Sequence, residues 1–214
     1  MIFTNKELKE YIAQGDTIGK LLGSADNAFA SHRWLLDSLP KRAIYDNLYG
    51  DLLKADSPKR ILDVGGGFCS LSNILIDRHD YHLLDIMAHD DASVLGDFLI
   101  REDWYTFEPG EYDIVIVNDL FPNVDQRLEL FLEKYLPTTK EIRMSLTYYN
   151  TPKFYTTKRI DADEIFCQLA YDGRQIKDIL ERFFDDDFDE LYWMLDPPSI
   201  FPNGRQIDIL KRVL

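Results

Sequence analysis

The stretch from Ile61 to Ser70, Ile-Leu-Asp-Val-Gly-Gly-Gly-Phe-Cys-Ser, constrains this chain more than any other. Ile61 to Val64 is an apolar run broken by one acid, Asp63. Gly65, Gly66 and Gly67 follow, and then Ser70 to Asp77, with Leu71, Ile74 and Leu75 at helical spacing. Strand, glycine turn, helix is the first unit of an open α/β sheet whose ligand lies over the turn. Glycine suits that turn because the ligand rests on bare backbone and because positive φ costs glycine little. Amides opening the next helix then point at the ligand.

Asp63 narrows the choice of ligand. It stands at the C-terminal end of its strand, where the carboxylate is expected to face the crevice, repelling a pyrophosphate and attracting a cation. Asp63-Val64-Gly65-Gly66-Gly67 resembles the first motif of class I S-adenosylmethionine (SAM)-dependent methyltransferases, an acid followed by alternating glycines. Cys69 occupies the place of that motif's third glycine. SAM, with an ammonium and a sulfonium, is the cofactor the resemblance implies. A nicotinamide oxidoreductase is a rival that Gly65-x-Gly67-x-x-Ser70 allows if Ser70 replaces the last glycine, and Asp63 argues against it.

A chain of 214 residues, 45% hydrophobic, suffices for one α/β domain with a full core. Its formal charge of −14 disfavours nucleic acid and anionic membrane surfaces as partners, since both are held by clustered Lys and Arg. Two cysteines, Cys69 and Cys167, make neither a disulfide framework nor a zinc site. Met1 to Glu10 carries charges where a signal peptide needs an apolar core, and no apolar run is long enough to span a bilayer. A cytoplasmic protein is the expectation.

Thr4-Asn5-Lys6-Glu7 has capping-box spacing and starts a short helix. Further helices are expected within Asp16 to Asn27, from Phe29 to Leu39, and from Pro40 to about Ala55. This preface, residues 1–58, is read as a helical lid belonging to the same domain as the 59–214 core. Tyr81 to Ile86 reads as the second strand, Val94 to Phe98 as a short third strand or turn, and Tyr112 to Val117 as a strand buried on both faces. A helix from about Val124 to Tyr135 and a strand from Glu141 to Thr147 follow. Thr151 to Asp172 is read as an insertion, with Asp161 to Glu164 capping a helix through Ala170; Arg174 to Phe184 is another helix. Leu191 to Leu195 and Gln206 to Val213 are strands with no helix between them, so they pair antiparallel. The expected fold is a mostly parallel seven-stranded sheet with helices on both faces and a C-terminal antiparallel hairpin. It resembles the class I methyltransferase fold over about Lys59 to Leu214.

Asp85, at the end of the second strand, is placed to accept hydrogen bonds from both ribose hydroxyls, with Ile86 beside it. The resemblance assigns Asp97 to the adenine amino group and Phe98 to the ring face, and places the backbone near Asn118 on the cofactor's amino group. Methyl transfer requires the acceptor on the axis behind the methyl carbon, and a hydroxyl acceptor also requires a base. His32, Asp119 and Tyr148 are the candidate bases. Arg33 is a candidate carboxylate clamp, and Tyr149 a candidate lining residue for a small-molecule acceptor. Each has a plainer reading: His32 and Arg33 as helix-surface residues, Asp119 as a cap, the tyrosines as core. His79, His82 and His89 read as structural, the three tryptophans as core, and Cys69 as packing. The few acids near the middle strands, Asp119 and Asp125, disfavour a metal. Asn118-Asp119-Leu120-Phe121 keeps only the ends of the Asn-Pro-Pro-Phe motif of amino-group methyltransferases. O-methylation is slightly favoured because His32, Asp119 and Tyr148 offer possible bases, with N-methylation of an amine-bearing small molecule or peptide, or a SAM-binding protein without transferase activity, as alternatives.

Overall fold

The computed structural model describes residues 2–23, 35–67, 69–86, 96–159, 164–185 and 199–214. Its sheet runs β3-β2-β1-β4-β5-β8. β1 (Arg60–Val64) pairs in parallel with β2 (Asp80–Leu84) on one side and β4 (Tyr112–Asn118) on the other. β3 (Leu99–Ile100) extends β2, and β5 (Thr139–Tyr148) extends β4. β8 (Gln206–Val213) closes that edge antiparallel to β5, with Ser145 opposite Ile209. The strand order reverses between β1 and β4, which leaves a crevice over their C-terminal ends.

Period-two alternation sends side chains of β1 and β4 to opposite faces. Ile61, Ile114 and Ile116 enter one core, with α1 (Asn5–Ala13), α2 (Thr17–Leu22), α3 (Leu39–Tyr49) and α4 (Ser70–Arg78). Leu62, Val64, Val115 and Val117 enter the other, beneath α5 (Leu128–Tyr135) and α6 (Gly173–Phe183). Thr4 and Glu7 form the expected capping box of α1, and Pro40 lies in the first turn of α3 behind the cap Ser38. Trp104 lies in the second core with Phe121, Phe131 and Tyr135. His79 is buried; its Nδ1 accepts from Lys59 N at 3.1 Å, so its Nε2 donates to Leu52 O at 2.9 Å. No helix among the described residues is long and apolar enough to cross a membrane.

Three expectations change. Glu164–Ala170 is a strand, β7, paired antiparallel with β6 (Lys153–Arg159) in a separate ribbon. The cap-like Asp161 to Glu164 suggested a helix, but Ile165, Cys167 and Leu169 alternate, and the aromatic and β-branched β6 needs a partner. The third strand lies at Leu99–Ile100, because Gly96–Phe98 is a 3-10 turn with Gly96 at φ 56. α5 begins at Leu128, since Asp125 holds a turn by accepting from Trp104 Nε1 and Arg127 N, both at 2.9 Å. Six strands of the main sheet fall among the described residues; Leu191 to Leu195 lies outside them, as does most of the helix expected from Phe29.

Candidate functional site

The glycine turn sits at the reversal point. Gly65 and Gly67 have φ of 66 and 63, which a side chain rarely tolerates. Gly65 N donates to Leu84 O at 2.9 Å, tying the turn to β2. A Cβ at Gly65 would stand 3.1 Å from Leu120 Cδ2, and one at Gly66 would stand 2.8 Å from Asp63 Cγ. The backbone is therefore bare above and tightly supported below. Cys69 caps α4 through its backbone, its amide donating to Ser72 Oγ at 3.2 Å. Burial pushes its thiol up, away from the reactive thiolate.

Asp63 lies beneath this turn and is 3% exposed. Tyr81 donates its hydroxyl to Oδ2 at 2.7 Å, and Tyr49 donates at 3.0 Å to the same oxygen and 3.2 Å to the other. Burial drives the Asp63 carboxyl up to about 7; the tyrosine hydrogen bonds pull it down, and the charge of Asp85 pushes it up. Burial also holds both tyrosines well above the ordinary phenol range. The carboxyl is therefore not open to the crevice, where the sequence reading sets it: it is buried in protein beneath the hydroxyls of Tyr49 and Tyr81, because β1 alternation sends it to the face that α3 covers. A buried acid demands donors, and the sequence shows that demand; it does not show that they come from α3 and β2.

Asp85 accepts a hydrogen bond from Gly67 N at 3.3 Å, which puts its carboxylate at the lip of the turn. Its own amide donates to Ile100 O at 3.1 Å. Ile86 is 64% exposed beside it, and Asp97 and Phe98 are exposed in the turn leading into β3, the neighbour of β2. The structure so gathers Asp85, Ile86, Asp97 and Phe98 along one margin of the crevice.

β4 supplies the other margin. Asn118 is buried; its Oδ1 accepts from Ser145 Oγ at 2.7 Å, and it hydrogen-bonds the hydroxyl of Tyr45 on α3. Asp119 has φ 60, unusual for a residue other than glycine, and its amide donates to Ser145 Oγ at 2.8 Å. Its carboxylate accepts from Thr147 Oγ1 at 2.7 Å and Asn123 Nδ2 at 3.3 Å, and from Arg205 Nη1 at 2.9 and 3.2 Å. Tyr149 lies near this group, its hydroxyl bonded to that of Tyr155 and its ring 3.8 Å beneath Lys153 Nζ. Tyr148 alternates away into the core beneath α5 and α6, and burial raises its hydroxyl. His32, Arg33 and His89 lie outside the described residues. Among the described residues no three His, Cys, Asp or Glu gather to hold a metal. Tyr45, Tyr49, Tyr81, Arg205, Lys153 and Tyr155 were not foreseen as site residues.

A Cβ at Gly65 or Gly66 would run into Leu120 or Asp63, so the turn packs against its support only with bare backbone. No protein-family model and no curated protein matches this chain. Its structure is similar to the N-terminal domain of EvdMO1 with SAH bound, at 14% identity and TM-score 0.54 over 94% of this chain and 96% of that one. The same domain in the presence of SAH and D-fucose gives 13% identity and TM-score 0.53 over 94% and 96%. The Burkholderia thailandensis 1,6-didemethyltoxoflavin-N1-methyltransferase also matches, at 11% identity and TM-score 0.49 over 97% of this chain and 87% of that one. The likeness is one of fold: a mostly parallel, Rossmann-like α/β sheet shared with a domain solved with SAH bound.

Proposed function

We propose that this chain is a SAM-dependent methyltransferase acting on a small-molecule acceptor. The glycine turn carries the reading: two left-handed glycines, and a third with no room for a Cβ, at the crevice where strand order reverses. Gly65, Gly66 and Gly67 would hold the methionine and ribose portions over Asp63, and Asp85 would accept from the ribose hydroxyls. Ile86 and Phe98 would flank the adenine, Asp97 would take its amino group, and the backbone at Asn118 the cofactor's ammonium. SAM, when bound, supplies an electrophilic methyl group on a sulfonium.

The chain's own task is to exclude water and hold the acceptor on the methyl axis, worth several kcal/mol in such displacements. The 1–58 preface and the 151–172 segment are read as the parts that close over the acceptor. O-transfer remains the favoured chemistry, because Asp119 offers a carboxylate at the crevice, with His32 as a second proton acceptor. Tyr148 is set aside as a base: it lies in the core beneath α5 and α6, and burial keeps its hydroxyl protonated. N-transfer to an amine, which needs no base, is the alternative that product analysis from mixed alcohol and amine acceptors decides.

Calorimetric titration with SAM tests the reading. Wild type is expected to bind, and Asp85→Ala to lose about 10-fold or more, the worth of one charge-assisted hydrogen-bonding group. Unchanged affinity in that variant removes the cofactor assignment.

A further inference from the structure

Bases converge beside the glycine turn although the chain carries 24 Lys and Arg against 38 Asp and Glu. The guanidinium of Arg205 is largely buried, lies 4.3 Å from the centroid of the Phe201 ring, and spends Nη1 on Asp119. Its Nε and Nη2 have no hydrogen-bond partner among the described residues. They are not sealed in protein either: among the described residues, the one buried side-chain polar atom lacking a partner is His82 Nδ1. Lys153 Nζ stands over Tyr149, 5.6 Å from the Tyr155 ring centroid, without an ion pair among the described residues. The charges of Arg205 and Asp119 both reach Tyr155, and both reach Lys41 on α3. Leu120, next to Asp119, packs against Gly65, so this cluster adjoins the turn.

Nε and Nη2 form the edge of a guanidinium that matches a carboxylate with two parallel hydrogen bonds. Among the described residues no acid other than Asp119 pairs with it, and none takes that edge. Asp119 neutralises one charge, and Lys153, without an ion pair among the described residues, adds another beside Tyr149.

We propose that the methyl acceptor is an organic acid, its carboxylate seated on the Nε–Nη2 edge of Arg205 with Lys153 adding charge at the mouth. This rests on the methyltransferase reading of the neighbouring turn, which a separate SAH titration tests. Saturation-transfer NMR on SAH-loaded protein, with 4-hydroxybenzoate, 4-hydroxybenzamide and phenyl phosphate as probes, decides it. The benzoate is expected to bind, and the amide to bind about 10-fold weaker or less. R205Q should lose the benzoate. R205K, which keeps the charge without the fork, should fall between, and K153Q should weaken binding several-fold, each with SAH affinity unchanged. Equal binding of the amide, no binding of the benzoate to wild type, or unchanged binding in R205Q overturns the proposal. Preference for phenyl phosphate overturns the carboxylate in favour of a phosphate acceptor. Should R205Q not fold, R205K and K153Q carry the comparison, and unchanged benzoate binding in both overturns it. If wild type binds no SAH, the methyltransferase reading fails, while the same probes without SAH still show whether Arg205 takes a carboxylate.

Discussion

One carboxyl group, Asp63, lies between the glycine turn and the core with two tyrosine hydroxyls upon it. Its folded value of about 7 lies above the usual 3.9 or so of an unfolded chain. Below about pH 4 both states hold the proton, and above 7 neither does. Between them the folded chain binds more protons than the unfolded one, so this group's contribution to stability falls as pH rises, by up to ~1.4 kcal/mol per unit. Asp63→Asn cannot ionise, so urea denaturation from pH 4 to 8 should show wild type losing stability relative to that variant up to about 7 and then running parallel. A constant difference would mean the carboxyl titrates normally. Asp51 and Asp125, where arginine hydrogen bonds outweigh burial, are lowered and titrate below this window. Gly66 gives a second expectation. Its substitution by Ala drives Cβ against Asp63, and overpacking of ~1–3 kcal/mol should cost SAM affinity about 10-fold. Gly110, whose Cβ would meet nothing within 4 Å, is the control expected to be silent.

At the scale of elements, β5 joins the parts. Arg143 on β5 is 4% exposed at its side chain; it donates to Leu48 O of α3 at 2.7 Å and to Glu141 at 2.7 Å, and holds Asp51 through two bonds of 2.6 and 2.8 Å. Those contacts clamp the end of α3 to the sheet and so set where Tyr45 and Tyr49 reach. Arg143→Met leaves Glu141 and the Leu48 carbonyl without their donor, while Asp51, half exposed, returns to water. Removing one member of a buried pair costs several kcal/mol, and about 3 is expected here by chemical denaturation. A loss under about 0.5 kcal/mol would show that the clamp is replaceable. The β6–β7 ribbon is held more lightly. Two-stranded ribbons are marginal alone, and this one leans on the Tyr149–Tyr155 contact, on Gln126 Nε2 donating to Leu169 O at 2.6 Å, and on Gln168 bonded to Asn123 O. Phe154 and Ile165 remain exposed on its outer face.

For the whole molecule the dominant quantity is the formal charge of −14. Like charges destabilise a compact state, and salt with a Debye length of ~10 Å at 0.1 M screens them. Raising NaCl from about 20 mM to 0.3 M should therefore raise the Tm by ~2–4 °C, the shift that about 1 kcal/mol gives a chain of this size. A Tm that stays level would place the acids in local pairs such as Asp113 with Lys140 and Glu129 with Arg182, and not in mutual repulsion.

Local order was legible in the sequence wherever one residue's neighbours along the chain decide its state. The glycine turn, the β-branched strand Tyr112–Asn118, the Thr4 capping box and the strand Gln206–Val213 all follow from backbone propensity and short-range periodicity. Where two local signals competed, at Glu164–Ala170, the partner strand decided between them. The site's electrostatics were not legible. Asp63 receives hydroxyls from an earlier helix and a later strand, and Asp119 meets Arg205 across 86 positions of sequence. Those pairings exist because strand order folds distant ends into one crevice, and charge acts through distance in space, which no one-dimensional pattern records.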